Sequence, residues 1–309
     1  MKLEPKISVV IPLHNKGKYV GDTLETIKNQ VCHADELIII NDHSTDNSLI
    51  VVTDALLDYS FPYRILNCPD YGVSAARNFG VNNSSYEYIC FLDADDWWDR
   101  EYILEMKNLI KDYPDAGIYG LNFRFASTYT PPVQGIDNEL NKERRITNYW
   151  NDYIVYTAST VCIRKSVFEE LGGFDERIKT GQDIDLWYRV LLRYDGAFNE
   201  RQLAYYRQEV SGQVSAQNHP IEDNFIYYID KFAAYKHENK DFKEFIDNEV
   251  ATRLVHYQER KKFYFDKEYR LKVKRVKSSI DVSSLNIKLL IRLKFPLLYM
   301  FYDKIFHRK

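Results

Sequence analysis

Cysteine is scarce and follows no binding pattern: Cys32, Cys68, Cys90 and Cys162 are scattered without CxxC spacing. Neither a zinc ribbon nor a disulfide framework is indicated. Cys90 lies in an apolar run and Cys162 stands between Val161 and Ile163, the surroundings of buried core thiols. Long apolar runs are missing as well. Phe295–Tyr302 falls far below the roughly 20 residues that a spanning helix needs. A glycine-rich loop is absent after the first apolar segment, where Pro12-Leu13-His14-Asn15-Lys16-Gly17-Lys18 stands instead. That argues against a dinucleotide-dependent dehydrogenase and against a nucleotidyltransferase with a triphosphate cradle. There is no internal repeat and no low-complexity segment. Met1–Lys6 is short and polar and runs into a strand, so no signal peptide is expected. A reducing, cytoplasmic setting follows.

What is present is an ordinary globular composition, 45% hydrophobic and 28% charged over 309 residues. That suffices for one large α/β domain with an appendage. Aromatics reach 15%, largely through 25 tyrosines, which suit half-open clefts and interfaces. The net charge of −3 hides an asymmetry: Arg270–Lys309 carries eleven Lys or Arg against two Asp, and the rest of the chain is at −12. A basic end on an acidic body points to an anionic partner.

Strand and helix alternate through the first half. Ile7–Ile11 reads as a buried strand stopped by Pro12, Leu37–Ile40 as a second, Tyr63–Leu66 as a third and Tyr88–Leu92 as a fourth. Tyr19–Gln30, Asn47–Leu57 (with Asp46 as N-cap) and Ser74–Val81 read as the intervening helices. Such βα units argue for a mostly parallel, Rossmann-like sheet flanked by helices, with ligands beyond the carboxyl ends of its strands. Further on, Arg100–Lys111 and Asp183–Arg193 read as helices, Gly117–Phe125 and Ser159–Ile163 as strands, and Thr128–Arg145 as a loop. From about Pro220 strand patterns give way to helical ones, Glu222–His237 and Phe242–Tyr257. A catalytic domain over residues 1–218 and a helical, basic region over 219–309 are expected.

The chemistry concentrates at three strand ends. Phe91-Leu92-Asp93-Ala94-Asp95-Asp96-Trp97 packs three carboxylates into four residues, which repel one another and favour a cation. Oxygen ligands at a strand terminus suit Mg²⁺ or Mn²⁺, which also hold substrate phosphates. An acidic turn capping the next helix accounts for the same residues, but the position directly after an apolar strand favours the cation. In Asn41-Asp42-His43-Ser44-Thr45-Asp46, a polar loop with a good helix cap explains Ser44 onward and leaves Asp42 over, free to accept from a base or ribose. Tyr71-Gly72-Val73-Ser74-Ala75-Ala76-Arg77-Asn78 places an arginine in a helix of small residues that can approach the sheet closely. Arg77 there is either a surface charge or a tie for the nucleotide pocket.

Taken in order, these segments, with Val9-Val10-Ile11-Pro12-Leu13-His14-Asn15 before them, closely resemble the family 2 glycosyltransferases. Gly172-Gly173-Phe174-Asp175-Glu176 and Gly181-Gln182-Asp183-Ile184-Asp185-Leu186 are similar to that family's acceptor-side motif. The resemblance covers roughly residues 5 to 215. It implies a GT-A fold and inverting transfer of a sugar from a nucleotide-sugar donor, UDP-linked by preference, to a glycan or lipid-linked acceptor in surface polysaccharide synthesis. It places Pro12 and His14 around the uracil pocket, with Asp42 on the base and Arg77 nearby. Asp93 falls at the ribose and metal, Asp95 on the Mn²⁺ or Mg²⁺ that bridges the diphosphate, and Asp183 at the general base. Asp185 and Trp187 fall on the acceptor side. Tyr205–Ser215 resembles the family's flexible loop after the catalytic helix, so that Arg207 either meets the diphosphate or is a plain surface charge. A catalytically silent nucleotide-sugar-binding module is the alternative; Asp95 and Asp183 being both present argues against it.

Two positions depart from the family. His43 stands where glycine is common, tolerable but not ideal if the turn needs a positive φ. Gln182 replaces a common glutamate, which removes a like charge beside Asp183. The tail, Asn286–Lys309, mixes Ile, Leu, Phe and Tyr with Lys288, Arg292, Lys294, Lys304, Arg308 and Lys309. It suits an interfacial segment bent at Pro296 against an anionic membrane surface at the inner face of the cell membrane. A helix packed on the body or on a second copy, in a homo-oligomer, accounts for it equally. No nucleic-acid partner is expected.

Overall fold

The computed structural model describes residues 4–130, 143–146, 149–150, 156–208, 210, 219–259 and 262–295. The chain divides into two compact units, Met1–Gln217 and Asn218–Lys309.

In the first unit, β1 (Ile7–Leu13) lies between β2 (Glu36–Asn41) and β4 (Tyr88–Phe91), with β3 (Tyr63–Asn67) outside β2, all parallel. Every residue of β1 and β2 is buried, as expected of strands covered on both faces. Pro12 does not stop β1, contrary to the sequence reading; it pairs with Ile40 inside the strand. Val10 accepts from the Leu92 N–H on the β4 side, so alternation turns the nitrogen of Pro12 to that side too. There β4 pairs no further than Val10–Phe91, and the missing N–H costs no ladder bond. Helices α1 (Val20–Lys28), α2 (Ser48–Ala55) and α3 (Val73–Asn82) form the crossovers. α3 sits so close to the sheet that a Cβ on Gly80 would fall 2.4 Å from Val10 Cγ1.

Beyond β4 the sheet becomes mixed. β5 (Trp97–Trp98), β6 (Ile118–Ala126), β7 (Glu143–Ile146), β8 (Val161–Arg164) and β9 (Gly196–Arg207) complete nine strands among the described residues, in the order β3-β2-β1-β4-β8-β6-β9-β5 with β7 on β9. β8 is antiparallel to β4 and to β6, and β9 is parallel to β6. β1, β2, β3, β4, β6 and β9 therefore end at one edge, where β8 begins. Helices α4 (Tyr102–Asp112), α5 (Lys165–Glu170) and α6 (Gln182–Leu191) complete the unit. The expected loop Thr128–Arg145 ends in strand β7; its residues 131–142 lie outside the described residues. β9 was not anticipated, because buried Asn199, Arg201 and Arg207 interrupt its apolar pattern.

The second unit is helical: α7 (Ala233–Glu238), α8 (Lys240–Glu259), α9 (Lys262–Phe265), α10 (Lys267–Ser278) and α11 (Ile287–Lys294). The single helix expected over Glu222–His237 is broken into 3-10 turns, Ile221–Asp223 and Phe225–Phe232, before α7. Phe225–Ile229 is wholly β-branched or aromatic, side chains that lose rotamer freedom in an α-helix. Among the described residues no helix is long and apolar enough to cross a membrane. Pro296 and the rest of the tail lie outside the described residues.

Candidate active site

The loops after β1 and β2 interlock. The Asp42 carboxylate is buried and accepts the Gly72 N–H with both oxygens, at 3.0 and 3.1 Å. His14 Nδ1 lies 2.5 Å from the Asp42 carbonyl oxygen. A carbonyl only accepts, so the proton sits on Nδ1 and leaves Nε2 to accept from Asn15 Nδ2 at 3.2 Å. Asn15 Oδ1 in turn accepts the Thr45 N–H at 2.8 Å. Both turns need the left-handed region: Asn15 has φ 52° and His43 φ 53°. His43 thus occupies a conformation that suits glycine, and its ring stacks on Tyr71 with centroids 3.7 Å apart.

The acidic loop after β4 divides its three carboxylates. Asp93 pairs with Arg77 at 2.5 Å, and Asp95 with Lys16 at 2.6 Å. Arg77 is no surface charge: it is 3% exposed and lies over the Phe174 ring. Asp96 points inward, accepting from Ser159 Oγ at 2.5 Å and from the Arg207 N–H at 2.9 Å. Ser159 Oγ also accepts the Asp93 N–H at 3.1 Å, and the Ser159 carbonyl accepts Trp98 Nε1 at 2.7 Å. Thr23 of α1 donates to the carbonyls of Ala94 and Asp96. Burial pushes the Asp95 carboxyl above its ordinary range, Lys16 opposes that, and neighbouring Asp93 adds to it. Asp96 is raised further, by burial first and then by the charges of Asp95 and Asp93. The electrostatics favour added positive charge at this loop.

Arg207 corrects the sequence reading. It belongs to the last residue pair of β9 with β6, is 6% exposed, and is neither in a loop nor at the surface. Its Nε donates to the Asp95 carbonyl at 2.7 Å, Nη2 pairs with Asp22 at 2.8 Å, and the guanidinium lies over the rings of Tyr19 and Trp97.

Asp183 is the second residue of α6, half-buried, and its Oδ1 accepts the Ile184 N–H at 2.9 Å. Gln182 precedes it, and Gly181, at φ 74°, makes the turn. Asp185 and Trp187, expected on the acceptor side, are both buried. Asp185 is fully buried against Arg189 at 2.9 Å, and Arg189 also donates to the carbonyls of Leu171 and Gly173. Trp187 packs 5.9 Å from Phe174 and 6.5 Å from Phe91, the last residue of β4. Asp183 stands one turn before Trp187, whose ring docks α6 on β4, the strand that leads into the loop of Asp93 and Asp95.

Two carboxylates offer oxygen donors only, a set for a hard cation that takes its other ligands from phosphate and water. Among the described residues no group of three or more His, Cys, Asp or Glu is arranged to hold a metal by protein alone. Asp93 and Asp95 could supply only part of the ligand sphere of such a cation, and among the described residues they do not form a closed protein cage. Lys16 and Ser159 escaped the sequence reading. Lys16 follows Asn15 directly at the strand end, which marks it in hindsight; nothing local distinguishes Ser159.

The sequence pattern described as Glycosyl transferase family 2 matches residues 8–172. The chain is 33% identical over 114 residues, 37% of its length, to "Glycosyltransferase GlyA" of Streptococcus pneumoniae, spanning 16% of that protein. It is 29% identical over 196 residues, 60% of its length, to "Minor teichoic acid biosynthesis protein GgaA" of Bacillus subtilis, spanning 43% of it. The chain thus covers less than half of either curated relative. Its fold is similar to that of S. aureus TarS 1-349, solved in complex with UDP-GlcNAc, with a TM-score of 0.69 at 16% identity over 90% of this chain and 82% of that one. The fold is the GT-A sheet with helices on its faces, and with the family pattern covering more than half of its length the chain belongs to glycosyl transferase family 2.

Proposed function

We propose that this glycosyltransferase moves a sugar from a UDP-sugar to a hydroxyl of a glycan or lipid-linked acceptor, inverting the anomeric carbon. The observation that carries the reading is the gathering at one sheet edge of Asp42, the Arg77–Asp93 and Lys16–Asp95 pairs and, through Trp187 on Phe91, the helix that bears Asp183. Asp42 and His14 form the floor for the base. Asp93 and Asp95 would hold Mn²⁺ or Mg²⁺, which when bound would supply positive charge against the departing diphosphate. Asp183 accepts the proton of the acceptor hydroxyl as the new C–O bond forms and the bond to diphosphate breaks. A single displacement on the face opposite the leaving group inverts the configuration.

The names of the relatives support the substrate class: GgaA is a teichoic acid biosynthesis protein, and TarS was solved with UDP-GlcNAc. A surface polysaccharide or its lipid-linked precursor is the acceptor proposed. The second unit supports a cytoplasmic enzyme peripheral to the membrane. On α11, Ile287 is 78% and Ile291 49% exposed and Phe295, just beyond, 53%; they are spaced four apart beside Arg292 and Lys294.

The test is a panel of nucleotide-sugars with Mn²⁺, UDP-GlcNAc first, read as released nucleoside diphosphate. UDP-dependent release that Asp183→Asn lowers by about 10²–10⁴-fold, while donor binding survives, is expected. Near-normal turnover by Asp183→Asn removes the base assignment. Binding without turnover of any donor favours a silent module, and pyrophosphate release favours a nucleotidyltransferase.

A further inference from the structure

Lys16 was not among the residues expected at the site, yet it holds the carboxylate read as the metal ligand. Each of the two solvent-reaching carboxylates in the acidic loop already has a cation, Arg77 on Asp93 and Lys16 on Asp95. The two cations differ in kind. The guanidinium of Arg77 is buried and rests on Phe174, and is fixed. Lys16 is a compact ammonium on a flexible stem. Its backbone is pinned independently of that stem: the N–H donates to Ser48 Oγ at 2.8 Å, and the carbonyl accepts the N–H groups of Tyr19 and Val20, each at 2.9 Å, at the start of α1. The ammonium can therefore leave Asp95 without disturbing the loop.

A divalent ion and an ammonium compete for Asp95, because like charges a few ångströms apart repel strongly where water is partly excluded. We propose that Lys16 is a built-in counterion that competes with the divalent cation for Asp95 and turns to the donor diphosphate when the cation takes its place. The inference rests on the reading of Asp93 and Asp95 as the cation site. It makes metal binding weak by itself and cooperative with the nucleoside diphosphate, which brings the negative charge that both the metal and the released ammonium need. By linkage the coupling is reciprocal: the diphosphate tightens the metal as much as the metal tightens the diphosphate.

The test is a titration of the full chain with Mn²⁺, free ion being read by electron paramagnetic resonance, with and without UDP. Lys16→Met removes the charge at similar length, and Lys16→Gln keeps a donor without charge. Matching circular dichroism for each shows that the fold is kept. The expectation is that both variants bind Mn²⁺ alone about tenfold more tightly than the unaltered chain, while UDP enhances their Mn²⁺ affinity several-fold less. Asp95→Asn should lose Mn²⁺ in every background. Variants that bind Mn²⁺ no more tightly, an unchanged UDP enhancement, or no Mn²⁺ binding in any arm overturns the proposal. Sugar transfer is read separately. If the titrations behave as stated and no donor turns over, the transferase reading falls and Lys16 keeps its role; turnover with unchanged titrations is the reverse.

Discussion

Ser159→Ala is the sharpest test of how the acidic loop is held. The hydroxyl makes two bonds to that loop, donating to the buried Asp96 carboxylate at 2.5 Å and accepting the Asp93 N–H at 3.1 Å. A hydrogen bond contributes roughly 0.5–1.5 kcal/mol, and an amide left unpaired in the interior costs about 1–3 kcal/mol. Asp96 keeps the Arg207 N–H, and Asp93 lies near enough to solvent for its amide to recover part of the loss. About 1–3 kcal/mol of destabilisation remains, which for a unit of this size lowers the melting temperature by roughly 2–12 °C. The same change frees the backbone of Asp93 and Asp95, so affinity for a UDP-sugar with Mn²⁺ should weaken about tenfold or more. Differential scanning calorimetry and calorimetric titration with UDP read the two effects. A variant that melts within a degree of the parent and binds UDP and Mn²⁺ unchanged would show that Ser159 does not brace the loop.

Three further expectations follow from other parts of the molecule. Asp183→Asn should lower transfer by about 10²–10⁴-fold with the UDP affinity intact, as set out above. Glu36 is buried, which raises its pKa, but the Ser85 amide, the Ser8 and Ser85 hydroxyls and Arg64 together bring it below its ordinary value. A lowered carboxylate stabilises the fold above its unfolded pKa and ceases to as pH falls through the folded value. Glu36→Gln should therefore melt well below the parent at neutral pH, and the gap should close below about pH 4; a gap that widens in acid refutes the assignment. For α11, co-sedimentation with phosphatidylglycerol vesicles should drop by about tenfold or more when Ile287, Ile291 and Phe295 are all replaced by serine. Substitution is preferable to truncation, because Leu289 and Leu293 on the same helix are buried in the second unit. Equal sedimentation of parent and variant removes the membrane role, and a lower oligomer mass in the variant would mark the stripe as a contact between copies.

The two strands β1 and β2 were legible because they are buried on both faces, so Ile7–Ile11 and Leu37–Ile40 stand out as apolar runs. The place of the candidate site residues at the sheet edge was legible for a related reason: polar groups placed straight after such a run have nowhere to go but that edge. His43 could be marked because it stands where glycine is common in the family that the sequence resembles, and its φ is positive. What escaped was everything decided by distant partners. β9 carries buried polar groups that pair with loops and helices far away, Arg201 with Glu101 and Glu105 and Arg207 with Asp22, so its pattern is not that of an apolar strand. The burial of Asp185 escaped for the opposite reason. In a string of acidic residues it looks like part of the site, and only the fold reveals Arg189 one turn on, neutralising it in the interior.

The division of labour among Asp93, Asp95 and Asp96 shows why three carboxylates stand where two would bind a cation. Asp96 is spent on architecture: it ties the loop to the turn before β8 through Ser159 and to the end of β9 through Arg207. Thr23 and the Arg207 guanidinium fix the intervening carbonyls from α1 and β9. With its backbone held from three elements, the loop need not reorganise to present Asp93 and Asp95, whose partners are single side chains that a ligand can displace or share. A preorganised anionic site concentrates its electrostatic effect where charge changes during reaction, because no free energy is drawn off to assemble it. On the proposed mechanism, the inward carboxylate thus braces the loop that presents the outward pair.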